Sequence, residues 1–364
     1  MRAGLEPAHD GAQGVTRPTN ASIILTAGFY LFALTSIHAA ELFKTPAPTP
    51  LTNQARVVIV ENLAAVADFT PRADAVRAMV DSGVTTLTSQ ADAASAWASL
   101  VQTQDVVGVK VFAAPGPTVG TRPAVAAAVV QGLLAAKIPA AHIVIWDRSL
   151  ADLQRAGFGE LAATLGVRVA GALDAGWDEK VFYETPLLGN LRWGDFEFGQ
   201  TNDGVGRKSF VSKLVTRELT KLIVIAPLLN HNEAGVAGQL FTLATGSVDN
   251  TARFTSDADR LAAAIPEICA LPQLGDRVVL HITDALLGQF AGSEARLHYT
   301  ATVGQLRFSR DPVALDVLSA AELERLRALA KFSGGSTNAE LLHNASLLEL
   351  GVSDVRKISV EPGR

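Results

Sequence analysis

Apolar and polar positions alternate along this chain in blocks that switch between the periods of strand and helix. Short continuous apolar runs at 57–60, 106–112 (VVGVKVF), 143–146 (IVIW), 167–170, 221–226 and 277–282 read as strands, and residues 299–308 read as one more. Between them, apolar residues recur at helical spacing over 73–82, 91–101, 123–136, 150–165, 211–219, 234–244, 257–269, 313–330 and 338–348. Runs such as IVIW and LIVIAPLL lack polar alternation, which is the pattern of strands covered on both faces. Strand and helix alternate, so the expected fold class is α/β, a largely parallel sheet flanked by helices.

Residues 177–210 break the rhythm. They are rich in glycine and aromatics, with Trp193, Phe196 and Phe198, and contain no helical pattern. This stretch reads as an inserted hairpin or cover within a single α/β domain spanning 55–364, whose C-terminal helices occupy 313–348.

The amino terminus has a different pattern. Residues 21–37 (ASIILTAGFYLFALTSI) are uncharged and mostly apolar, Arg17 precedes them, and small residues including Ala39 and Ala40 follow. A basic flank, an apolar stretch and a small-residue exit make a secretory signal. The run is slightly short of the ~20 residues of a spanning helix, so the alternatives are an uncleaved anchor or a buried helix. Pro46, Pro48 and Pro50 then form an extended linker. Residues 1–54 are thus expected to be a signal or anchor plus linker, and the protein to be exported to the periplasm or cell envelope. Membrane contact is expected only through that segment.

Composition narrows the chemistry. The net charge is −5, charged residues make up 18% of the chain, and no Lys/Arg run exceeds two residues, which gives a phosphate-tracking nucleic-acid surface no support. The single cysteine, Cys269, excludes an intrachain disulfide and a cysteine-ligated iron–sulfur cluster. Its apolar setting suggests an inert buried thiol.

In open α/β sheets ligands bind beyond the carboxyl ends of the strands. Four strands end in polar residues: Asp147-Arg148-Ser149, Asn230-His231-Asn232-Glu233, Thr283-Asp284, and Ser309-Arg310-Asp311. If these strands are parallel neighbours, three Asp, one His and one Glu share a cleft. Asp147, His231, Glu233 and Asp311 would suit Mg²⁺, Mn²⁺, Fe²⁺ or Zn²⁺, and His231, Asp284 and Lys110 would suit acid–base work. Lys110 interrupts a buried strand and must either reach the sheet end or pair with a carboxylate. Arg148 supplies positive charge for an anionic small molecule. Gly235 and Gly238 open a helix whose amides could take an anion, or they serve close packing. Helix capping is the competing role for Asp147, Asp284 and Asp311, the last standing before Pro312. His281 lies within an apolar strand and reads as a satisfied core histidine. The Rossmann glycine fingerprint and Gly-x-Ser-x-Gly are missing, and Gly206-Arg207-Lys208-Ser209 has the wrong context for a P-loop.

Several blocks in order resemble the bacterial and archaeal family called domain of unknown function 362. They are VVGVKV with TRPAV, IVIWDRS, HNEAGVAGQL, GSVDNTARF, ICALP, VVLHITDALLGQ and DPVALD, between Arg56 and about Ala330. The resemblance implies an α/β fold and no settled activity. Members commonly carry a lysine where this chain has Asn230 and a Lys-Asn pair where it has Phe241-Thr242, and some carry ferredoxin-type cysteines that are missing here. Two functions follow as expectations: an exported enzyme with a polar or metal-binding cleft, or a non-catalytic envelope protein that binds a ligand or acts as a scaffold.

Overall fold

A computed structural model describes residues 54–185, 206–292 and 295–363. The apolar segment 21–37, the proline linker and the aromatic residues Trp193, Phe196 and Phe198 lie outside the described residues.

The fold is α/β, built on a mostly parallel nine-stranded sheet. In chain order its strands are β1 (Ala55–Glu61), a two-strand turn β2 (Val66–Ala67) and β3 (Thr70–Pro71) set apart from it, then β4 (Val107–Lys110), β5 (Ile143–Asp147) and β6 (Arg168–Gly171). A separate hairpin, β7 (Trp177–Glu184) and β8 (Lys208–Ser212), precedes β9 (Lys221–His231), β10 (Gly235–Val236), β11 (Val278–Gln289), β12 (Thr300–Ser309) and β13 (Ile358–Pro362). The sheet order is β13-β1-β12-β11-β9-β4-β5-β6, with β10 pairing off β9. Strands β11, β9, β4, β5 and β6 run parallel, as do β1 and β13, while β12 is antiparallel to both of its neighbours.

Alternation along the strands fills two cores. Ile143, Ile145, Val107, Val109, Ile223 and Ile225 face one side, where the helices Ala73–Thr88, Ala93–Ala98, Pro123–Ala135 and Phe158–Leu165 pack. Val144, Trp146, Leu222 and Val224 face the other, under the helices Gln239–Ser247, Ala258–Cys269 and Ala339–Leu347. Helices on both faces account for the unbroken apolar runs. Gly108 makes room for this second core: a Cβ there would stand 2.6 Å from Leu219 and 2.8 Å from the Trp146 indole nitrogen.

Four elements differ from expectation. The helix expected over 150–165 is two, Leu150–Arg155 and Phe158–Leu165, parted by Gly157 at φ +88°. Residues 211–219 are the end of β8 followed by a wide helical turn, Leu214–Glu218. The helix expected from 234 starts at Gln239, because Gly235–Val236 first fold back against β9. Strand β13 was not expected. The inserted hairpin is present as β7 paired with β8, and Arg253 and Asp249 tie its base to the body: Arg253 donates to Ser209 Oγ (2.8 Å) and the Tyr183 carbonyl (3.3 Å), and Asp249 accepts from the Phe210 amide (2.6 Å). Among the described residues no helix is long and apolar enough to cross a membrane.

Candidate functional site

The carboxyl edge of the parallel strands carries most of the expected polar residues, and the structure gives most of them partners within the fold. Lys110, the last residue of β4, lies beside Asp147, the last of β5, because the strands pair in register. Its ammonium donates to Asp147 Oδ1 (2.7 Å) and to the Val111 carbonyl (2.7 Å), and stands 5.4 Å from the Trp146 ring centre. Asp147 Oδ2 accepts from the Ala113 amide (2.8 Å). Lys110 is wholly buried and Asp147 nearly so. Burial pushes the lysine pKa down and Asp147 pulls it back up. The lid is Gly246: a Cβ there would come 2.1 Å from Lys110 Cε and 3.3 Å from Asp147 Oδ1.

Asp284 has a partner that the sequence reading did not name. Arg122, just before the helix Pro123–Ala135, gives Asp284 Oδ1 a 2.8 Å ion pair and its own amide to Oδ2 (2.9 Å). The same guanidinium reaches the carbonyls of Thr118 (3.1 Å) and Leu287 (3.2 Å). Asp284 lies inside β11, at a register break between Ala285 and Leu287, rather than at its end. Both residues are buried.

The helix Gln239–Ser247 fills the space above these pairs, with every residue but Thr245 buried. Its amino end is already occupied by an anion. Asp316, from the helix Pro312–Leu329, accepts from the amides of Gln239 (2.7 Å) and Leu240 (3.1 Å). Gly238 is the close-approach residue, since a Cβ would meet Asp316 Oδ1 at 2.0 Å. The expectation that Gly235 and Gly238 admit a cofactor anion is corrected accordingly: an internal carboxylate takes the amides, and Gly235, at φ +78° and with a Cβ there 2.7 Å from the Asn338 nitrogen, serves a turn. Burial drives the Asp316 pKa up to about 7 against those two donors. At the other end Arg148 donates to the carbonyls of Val248 (2.8 Å) and Thr245 (3.3 Å) and to Thr251 Oγ1 (3.2 Å). Its guanidinium closes a helix C-terminus, a favourable place for a cation, rather than standing ready for a ligand.

Asp311 does not join this edge. Because β12 runs antiparallel, its end lies at the opposite side of the sheet, where Ser309 pairs with His281 and Val57. There Asp311 caps its own helix through the Ala314 amide (2.8 Å) and also accepts from Val352 (2.9 Å). Its pKa is raised by burial. Asp147 is not a cap, since Ser149 accepts the Asp152 amide (3.2 Å) at the start of the next helix. The expected ligand set of Asp147, His231, Glu233 and Asp311 is therefore divided between two edges, and among the described residues no three of His, Cys, Asp and Glu are grouped to hold a metal ion.

His231 is different. It ends β9 half-buried, and its Nδ1 accepts from the amides of Glu233 (3.2 Å) and Ala234 (3.1 Å). The ring lies against Phe241, centres 4.3 Å apart and planes tilted by 43°, and Phe241 meets Phe112 edge-on at 6.0 Å. Burial lowers the imidazole pKa to about 4. Glu233 holds the turn through its backbone, its carbonyl accepting from Asn338 Nδ2 (2.9 Å). Asn230 accepts from Arg327 (2.7 Å). His281 is a core histidine, its Nδ1 paired with Gln239 Oε1 (3.3 Å) and its pKa lowered by burial to about 3. Cys269 is buried, close to the Leu240 carbonyl (3.4 Å), and burial raises its thiol pKa.

No family model matches the chain, and no curated protein matches it. Among solved structures it is similar to a crystal structure of a protein from Thermotoga maritima, at 10% identity and a TM-score of 0.37, over 73% of this chain. The match spans 60% of that protein's length.

Proposed function

We propose that this chain is an exported, non-catalytic protein of the cell envelope, a ligand-binding or scaffold domain, in which the strand-end charges close the fold instead of doing chemistry. One observation carries this reading: the Lys110–Asp147 pair is sealed beneath Gly246. An ammonium and a carboxylate that satisfy each other in a dry interior are held by the structure around them and present no open position to a substrate. Arg122–Asp284, Asp316 and Arg148 extend the same arrangement to the rest of that edge. The apolar segment 21–37 with its small-residue exit supports export. The resemblance to domain of unknown function 362 fits a branch that has replaced the family's lysines by Asn230 and Phe241-Thr242.

A second reading keeps the enzyme acting on an anionic small molecule. The buried lysine favours it, because a desolvated amine with a lowered pKa is what nucleophilic or acid–base work requires. It demands that the helix Gln239–Ser247 lift to uncover Lys110. Native-state hydrogen exchange separates the two. If the helix is a fixed part of the fold, its amides exchange as slowly as those of β9 and only with global unfolding. Exchange through a local opening several kcal/mol cheaper than that of β9 would overturn the proposal in favour of the enzyme.

A further inference from the structure

Among the described residues at this edge, Arg122 Nε and Trp146 Nε1 are buried without a hydrogen-bond partner, while His231 has a ring nitrogen that is unused and within reach of the surface. Two backbone amides, Glu233 and Ala234, donate to the same ring nitrogen, Nδ1. A nitrogen accepting two N–H groups carries no proton, so in the neutral ring the proton resides on Nε2. Among the described residues Nε2 has no hydrogen-bond partner, and the ring is half-exposed. Beside it Phe241 is buried behind the imidazole and meets Phe112, which is half-exposed, so the aromatic surface open to a ligand is that of His231 and Phe112. This surface lies past the carboxyl ends of β4 and β9, where open α/β sheets take ligands.

We propose that the end of β9 is a small-molecule subsite in which His231 serves as a fixed neutral N–H donor, and that it takes a planar, uncharged ring bearing a carbonyl oxygen. This deepens the ligand-binding reading and rests on it. A neutral donor beside π-faces fits an oxygen acceptor attached to a ring that stacks or meets an edge. Glu233, half-exposed on the same turn, disfavours an anion there. The subsite therefore departs from the anionic molecule expected from the sequence. The neutral ring agrees with the depressed imidazole pKa.

The test uses the whole chain with its histidine rings labelled with ¹⁵N and its phenylalanine rings with ¹³C. At pH 7, long-range ¹H–¹⁵N correlations for the His231 ring, assigned by their loss in His231→Gln, should show a protonated Nε2 and a bare Nδ1. Benzamide is then titrated as probe. Shifts confined to His231, Phe112 and Phe241, saturating at millimolar concentration, support the subsite. Benzoate should bind more weakly because of its charge, and cyclohexanecarboxamide roughly fivefold more weakly for want of a flat ring. Phe112→Leu, at a half-exposed position, gives a second variant should His231→Gln fold poorly, and it too should lose the benzamide shifts. A proton on Nδ1, benzamide shifts elsewhere or none, or equal binding of benzoate would overturn the inference. Failure here together with slow exchange in Gln239–Ser247 would leave the broader reading standing, so the two fail separately.

Discussion

The sheet's carboxyl edge holds two groups of the same kinds of residue and uses them in opposite ways. At β4, β5 and β11 each charge meets a counter-charge on a neighbouring element: Lys110 with Asp147, and Asp284 with Arg122. At the end of β9, the strand between β11 and β4, His231 has only backbone donors on one nitrogen and an aromatic ring against its face. The first group is buried and closed, the second half-exposed. Polar residues at strand ends are thus not equivalent candidates for function. What separates them is whether the register brings a partner of opposite charge into contact, because an isolated buried charge is untenable and a paired one is held in place.

The sharpest way to break this comparison is to remove one member of the closed pair. Lys110→Met or Asp147→Leu alone should destabilise the protein by about 3–5 kcal/mol, read as a lowered urea midpoint at constant slope. The double variant should recover much of that loss, since no charge is then left uncompensated. A single variant within about 1 kcal/mol of the parent would mean that water reaches the pair and that the edge is open. His231→Gln should cost far less, because it strips no charge of a partner.

Asp316 and His281 sharpen the same contrast through pH. The Asp316 carboxyl is raised to about 7 in the fold. A raised carboxyl contributes stability that is fully present below its unfolded pKa of about 4 and is lost as pH rises through 7. The stability difference between the parent and Asp316→Asn should therefore shift against the parent by about 4 kcal/mol from pH 4 to pH 8. His281 is lowered to about 3, so its contribution has the opposite course: present above about 6.5 and lost as pH falls toward 3. Denaturant midpoints of the parent, Asp316→Asn and His281→Gln across pH 4–8 would check both signs. Parallel curves for the parent and Asp316→Asn would show that the two amide donors from Gln239 and Leu240 outweigh desolvation.

Much of this fold was legible because strand and helix leave distinct apolar periods. The runs at 143–146 and 221–226 and the helix from Pro123 carry their own punctuation, and the structure places elements there. Strand direction was not legible. Nothing in the composition of residues 300–309 says that β12 runs against β11, and that reversal moved Asp311 to the far edge. Long-range partners were equally hidden: Arg122 and Asp284 are 162 residues apart. Asp316 did leave a trace, as a carboxylate among Val313, Ala314, Leu315 and Val317 on a helix, which calls for a buried partner. The helix expected at 211–219 shows the reverse error: its first two residues end β8, which pairs with β7, and only the turn Leu214–Glu218 is helical.

The smallest effect tests the far edge alone. Asp311 caps its helix and holds the Val352 amide, so Asp311→Ala should cost about 1–2 kcal/mol, the value of a lost N-cap. Asp311→Asn, which keeps one acceptor, should recover part of it. Because β12 carries Asp311 away from Lys110, Asp147 and His231, neither change should alter hydrogen exchange in Gln239–Ser247 or the ring-nitrogen signals of His231. A local loss confined to the turn at Gly351 and the first turn of the helix Pro312–Leu329 would confirm that this acid belongs to the scaffold. If Asp311→Ala instead shifted the His231 signals, the two edges would be coupled through β11, and the division between a closed group and an open group would have to be redrawn around that strand.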